Sequence, residues 1–192
     1  MTIYKSQCKE NLEEFKAYLK DDVDIEEARF AWSYYNKHLF IDDLSTYLRL
    51  KLNKVVEVGY GDYNANIVFV LGSMTDRKHL DFLKSMFEKL NMDFNNFYFT
   101  SYNKHADSHT DVYDEVIKSE LKAIKPKVVF SVGDYGIHAD NFELKVINKS
   151  NLDRTLELSE ISDPTEVNKS ELINRKRDLW DQIKSIVKYY SV

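Results

Sequence analysis

One cysteine, two prolines and five glycines in 192 residues exclude several classes at once. A lone Cys8 cannot close an internal disulfide, and it cannot hold a structural zinc or an iron–sulfur cluster. No run approaches the ~18 apolar residues of a membrane span. The opening MTIYKSQCKENLEEF has no apolar core of the signal-peptide kind. The expectation is a cytoplasmic protein with no membrane association. Positive charge is also short, since 27 Lys and Arg face 32 Asp and Glu for a net charge of −5. A non-specific nucleic-acid coat would be basic, so any DNA contact has to be local, whereas a protein partner needs no basic patch. Repeats, low-complexity tracts and Ser/Gly linkers are absent as well.

What remains is a core-forming composition: 43% hydrophobic residues, with 13 Tyr and 11 Phe. Residues 10–50 carry apolar side chains at helical spacing (Leu12, Phe15 and Leu19, then Ala31, Tyr34, Tyr35, His38 and Leu39). Beyond them the pattern alternates. Residues 54–58 (KVVEV) read as a short strand before a Gly-Tyr-Gly-Asp turn. Residues 66–71 (NIVFVL), 97–100 (FYFT) and 127–132 (KVVFSV) read as strands buried on both faces. Residues 77–91, 110–124 and 168–190 read as amphipathic helices. Segments 142–148 and 155–161 are weaker strand candidates. Such alternation predicts a three-layer α/β/α fold with a central parallel four-stranded sheet and right-handed crossovers, preceded by an N-terminal helical segment. The division is a helical segment over 1–52 and an α/β domain over 53–192. Functional loops belong beyond the carboxyl ends of the strands, at 72–77, 100–109 and 133–138, with the loop around Asp163-Pro164 as a fourth.

The residues on these loops carry a resemblance. NKVVEVGYGDYNANIVFVLG (53–72) resembles the opening of the uracil-DNA glycosylase superfamily, especially its families 4 and 5. HLDFLKSMFEKLNMDFNNFYFTS is similar to the helix and strand that follow there. YDEVIKSELKAIKPKVVFSVGDYG is similar to the family's next helix, its Ile-Lys-Pro-Lys-Val-Val link and its strand ending Leu-Gly. ISDPTEVNKSELINRKRDLWDQIKSI is similar to the His-Pro-Ser segment and the Lys-Arg-x-x-Trp helix. The resemblance covers roughly 53–190, and it implies nucleobase-pocket positions at Gly72, Ser101, Tyr102, Asp163 and Pro164.

The departures fall on the chemistry. Where the family has a Glu-containing loop, Gly72 is followed by Ser73-Met74-Thr75-Asp76. The segment that stacks an aromatic ring on the flipped base has no counterpart. The Asn that reads the uracil edge aligns with Ser101, and the His that stabilises the departing uracil anion aligns with Asp163. Two of the family 4 cluster ligands are replaced near His105 and Tyr113. An ionised Asp163 accepts hydrogen bonds and repels an anion, and it would donate only with a strongly raised pKa. Losing the Asn removes the readout that distinguishes one base from another. Ser73, Asp76 and Asp163 are therefore degenerate catalytic positions.

Other residues carry two readings each. Asp76-Arg77-Lys78-His79 would face an anion at a helix N-terminus, or Thr75 or Asp76 simply caps that helix. His105 and His109 are spaced for a metal but have no third ligand nearby, and a DNA-facing or solvated loop fits them better. Arg175, Lys176 and Arg177 form the strongest basic cluster, suited to DNA phosphates or to a solvated helix face. Tyr102, Tyr113, Tyr135 and the Tyr189-Tyr190 pair would stack on bases, line an interface or pack in the core. Trp180 reads as core, and no metal or cofactor is expected. The leading expectation is a catalytically inactive glycosylase-fold protein acting as a binding adaptor in a DNA replication or repair assembly, with the aromatic prelude (Phe30, Trp32, Tyr34, Tyr35, Phe40) facing a protein partner. One alternative is an active glycosylase for uracil or another damaged base, with Asp76 or Asp163 activating water and Ser101 touching the base; another is a small-molecule or nucleotide binder at the carboxyl end of the sheet.

Overall fold

The apolar runs form the middle of one sheet in the computed structural model, which describes residues 37, 39–42, 45–46, 58–73, 77–89, 91–104, 111–138 and 141–190. Five strands occur among them: β1 (Tyr60–Gly61), β2 (Ile67–Ser73), β3 (Tyr98–Asn103), β4 (Val128–Val132) and β5 (Glu143–Ile147). Four helices are interleaved with them or follow: α1 (Arg77–Lys89), α2 (Asp111–Ile124), α3 (Lys149–Ser159) and α4 (Glu166–Tyr190). The spatial order is β1-β3-β2-β4-β5. β3, β2, β4 and β5 are mutually parallel, and only β1 runs antiparallel on the edge. The three runs read as doubly buried strands are the three interior strands.

Strand alternation sends the two sets of side chains to opposite cores. Phe69, Phe99 and Phe130 stack in a row on one face, with centroids 5.5 and 5.0 Å apart. They are covered by Leu83 and Phe87 of α1, Leu152 of α3, and Leu179, Ile183 and Val187 of α4. Val68, Val70, Tyr98 and Val129 face the other way, under Ile117, Leu121 and Ile124 of α2. Helices therefore cover both faces. Burying a side chain of Phe or Leu size contributes about 1.5–3 kcal/mol, so this double core is the main source of stability.

Local signals end the helices where expected. Asn91 and Lys125 take left-handed conformations (φ 53° and 57°) just past α1 and α2, and Pro126 prevents α2 from continuing. The Asn148 side chain accepts from the Asn151 N–H, and the Thr165 hydroxyl accepts from the Asn168 N–H, which caps α3 and α4.

Two sequence expectations need correction. Among the described residues the sheet has five strands, because the Gly-containing turn adds β1 to its edge; Gly61 has φ 118° and lies against the Phe97 carbonyl, where a Cβ would sit at 2.1 Å. Segment 155–161 is not a strand. Its Leu156/Leu158 alternation is outweighed by the Asn148 cap and by Leu152, Thr155 and Leu158, which are buried at helical spacing, so the chain forms α3 through Ser159. Of the expected strand 54–58 only Val58 is described, in coil, and the remainder lies outside the described residues. The N-terminal segment 1–52 is described only at 37, 39–42 and 45–46, all helical. There Ile41 is fully buried, and the Lys37 ammonium donates to Asn64 Oδ1 (2.8 Å) and the Ile124 carbonyl (3.1 Å). No helix among the described residues is long and apolar enough to cross a membrane.

Candidate functional site at the carboxyl end of the sheet

In chain order the parallel strands run second, first, third, fourth across the sheet, so the direction of winding reverses between β2 and β4. Crevices at such a reversal, outside the carboxyl ends of the strands, are where open α/β sheets bind ligands. Here the crevice is bordered by two glycines, Gly72 of β2 and Gly133 just after β4, and the ring of Tyr135 lies between them. A Cβ on Gly72 would meet Tyr135 Oη at 2.7 Å, and one on Gly133 would meet the ring at 3.1 Å. Gly133 also has φ 108°, which a side chain would strain. The Tyr135 ring also stacks on Tyr102, with centroids 4.4 Å apart and planes within 11°. Burial, and then the nearby Asp153 carboxylate, hold the Tyr135 phenol above its usual range of ionisation.

The sheet register brings some expected site residues together. Leu71 pairs with Ser101 and Ser73 with Asn103, so Gly72 lies beside Tyr102 on the same face. Ser101 points to the opposite face, fully buried, and its hydroxyl donates to the Asn103 carbonyl at 3.0 Å. Ser73 is half-buried at the end of β2. Asp163 and Pro164 sit in the turn between α3 and α4, where Asp163 is exposed and has no hydrogen-bond or ion-pair partner among the described residues. Asp76, His105 and His109 lie outside the described residues.

The basic cluster divides. Arg175 is half-buried and engaged within the helix pair, donating to Glu171 Oε1 (2.8 Å) and Asn151 Oδ1 (2.5 Å). Lys176 and Arg177 are exposed and line a separate shallow groove with Phe82 and Trp180. Trp180 is half-buried and packs against the core.

Two polar pairings differ from the sequence reading, one of them at His79 of the Asp76-Arg77-Lys78-His79 run. His79, 1% exposed in the first turn of α1, lies 2.7 Å from Asp153 Oδ1 of α3 and fastens those helices beside the crevice. Deeper, Glu120 of α2 and Lys104 form a fully buried ion pair of 2.6 Å. The Glu120 carboxylate also accepts from the Gly59 N–H (2.8 Å), the Thr100 hydroxyl (2.6 Å) and the Tyr98 hydroxyl (3.4 Å), and the Lys104 ammonium touches Thr100 Oγ1. A signal for Glu120 did exist: it interrupts the apolar stripe Val116, Ile117, Leu121 and Ile124, and a carboxylate on that stripe must find partners inside. Among the described residues no group of three His, Cys, Asp or Glu side chains is placed to hold a metal ion. Compared with models of known protein families and with curated proteins, the chain matches none.

Proposed function

We propose that this chain is a binding protein with a uracil-DNA glycosylase-like three-layer fold, one that lacks base excision and serves as an adaptor in a DNA replication or repair assembly. The Tyr135 phenol carries this reading. It lies against Gly72 and Gly133 and stacks on Tyr102, so among the described residues the chain's own ring takes the place at these strand ends where a flipped base would stack. Excision also needs a donor where negative charge develops on the leaving base, usually the largest electrostatic contribution to such catalysis. The aligned residues do not supply one: the Ser101 hydroxyl is buried and donates to Asn103, and an ionised Asp163 only accepts. The net charge of −5 supports a protein partner over DNA scanning and leaves DNA only local contacts, for which the exposed Lys176 and Arg177 are the candidates.

The test is incubation with uracil-containing single- and double-stranded DNA, with binding and abasic-site formation followed together. No abasic sites are expected. Abasic sites that disappear with Asp163→Asn or Asp76→Asn would replace this reading with an active glycosylase using atypical residues.

A further inference from the structure

Parallel neighbours such as β4 and β5 are usually joined by a helix lying on the sheet. Here the connection, 133–142, has no helical residue among those described. Beside α2, where a second helix would lie, an open trough of about 660 Å³ remains. Its floor is apolar: Ile117 and Leu121 of α2 on one side, Ile137 and Phe142 of the connection on the other, with the Tyr102–Tyr135 stack closing one end. Along the α2 edge stand Lys118, Lys122 and Lys125, all exposed. Among the described residues none of the three has an ion-pair or hydrogen-bond partner, and no described carboxylate lines the trough. Positive charge concentrates here in a chain that is acidic overall. Lys125 is close enough to help depress the ionisation of Lys37, second to the effect of burial.

We infer that this trough docks an acidic peptide segment of a partner protein, with aliphatic or aromatic anchors on the floor and carboxylates along the lysine edge. The inference rests on the binding-protein reading and names the surface and partner chemistry for it. Three features select the occupant. At ~1.5 Å per residue the lysines extend over roughly 10 Å of helix, so they match a row of charges, whereas a single phosphate needs donors that converge. The floor is largely aliphatic and the two tyrosines are stacked on each other, which suits Leu or Phe side chains better than nucleobases. Among the described residues the rim has no arginine, the residue favoured for bidentate phosphate contacts. Apolar anchors provide affinity, and the charged rim provides register and association rate.

The experiment pans a phage-displayed library of peptides about twelve residues long against the immobilised full chain, then measures recovered peptides by fluorescence anisotropy. Recovered sequences should combine Asp or Glu with Leu, Phe or Tyr. Their affinity should fall at least about tenfold in the Lys118→Glu/Lys122→Glu variant, and should weaken as salt rises from about 50 to about 300 mM. The Lys176→Glu/Arg177→Glu variant, on the far groove, should bind as wild type does. All four substituted side chains are exposed, so each variant should keep the wild-type circular dichroism spectrum. Recovered peptides without acidic residues, equal binding to the Lys118→Glu/Lys122→Glu variant, or no enrichment at all would overturn the proposal. Binding of a thymidine oligonucleotide that depends on Lys118 and Lys122, with no peptide enriched, would overturn it in favour of nucleic acid. Uracil excision by the wild-type chain would end the adaptor reading while leaving a positive peptide result intact, so the two failures are distinguishable.

Discussion

Lys104 and Glu120 face each other at 2.6 Å with both side chains withdrawn completely from solvent, one just past the end of a central strand and one on the helix that covers it. Burying two charges is costly, and the cost is offset here by close geometry and by the Gly59, Thr100 and Tyr98 donors that use the remaining carboxylate lone pairs. The pair also ties the turn before β1 to α2, because Gly59 bonds to the same carboxylate.

Removing one partner should be far worse than neutralising both. Lys104→Met should cost about 3–5 kcal/mol in urea unfolding, because it strands the Glu120 charge. Adding Glu120→Gln should recover part of that loss, since the amide oxygen still accepts while the stranded charge is gone. Additive losses in the double variant would show that the two groups are not coupled.

The contact between Gly72 and Tyr135 makes a second coupled pair. Gly72→Ala places a methyl 2.7 Å from Tyr135 Oη and should cost about 1–3 kcal/mol as the ring is pushed off Tyr102. Tyr135→Phe removes that oxygen and leaves the ring carbon at 3.9 Å, an ordinary contact. The double variant should therefore be more stable than Gly72→Ala alone, with near-ultraviolet circular dichroism reporting whether the aromatic stack returns. A double variant as unstable as the sum of the two changes would mean that the hydroxyl is not the obstacle.

Alkaline stability follows from three phenols. Burial is the main cause holding Tyr98, Tyr135 and Tyr60 above their usual range, reinforced by Glu120, Asp153 and Asp81 respectively. With folded values raised, the unfolded chain ionises first, so stability present below about pH 10 declines as pH rises past it. Lys37, whose folded value is lowered by burial and then by Lys125, works in the opposite sense but is one group against three. Urea midpoints should fall between about pH 9 and 11, and Tyr98→Phe should flatten that fall. A midpoint constant over this range would contradict the assigned shifts.

The strand core was legible because IVFVL, FYFT and VVFSV are too continuously apolar for an exposed face, and all three lie in interior strands. Helices α1, α2 and α4 were legible from their periodicity, to within a few residues at their ends. α3 was misread at 155–161, since alternating Leu156 and Leu158 imitate a strand when the cap at Asn148 is left outside the window. β1 carries almost no sequence signal, being two residues paired antiparallel to β3. At the site, the parallel register of β2 and β3 sets Gly72 beside Tyr102 and turns Ser101 to the opposite face, a pairing that follows from the apolar pattern once the strands are neighbours. The Tyr135 stack and the Lys104–Glu120 pair depend on contacts across 33 and 16 residues, which no local periodicity encodes.

The most direct measurement of the central claim is single-turnover release of uracil from a labelled oligonucleotide at protein excess over hours, comparing wild type, Tyr135→Ala and Asp163→His. If the crevice is filled and the aligned donor and base-reading groups are missing together, no variant forms abasic sites, because partial repair of groups that act as a unit recovers little. Abasic sites formed by the wild-type chain, with Tyr135 in place, would contradict the account.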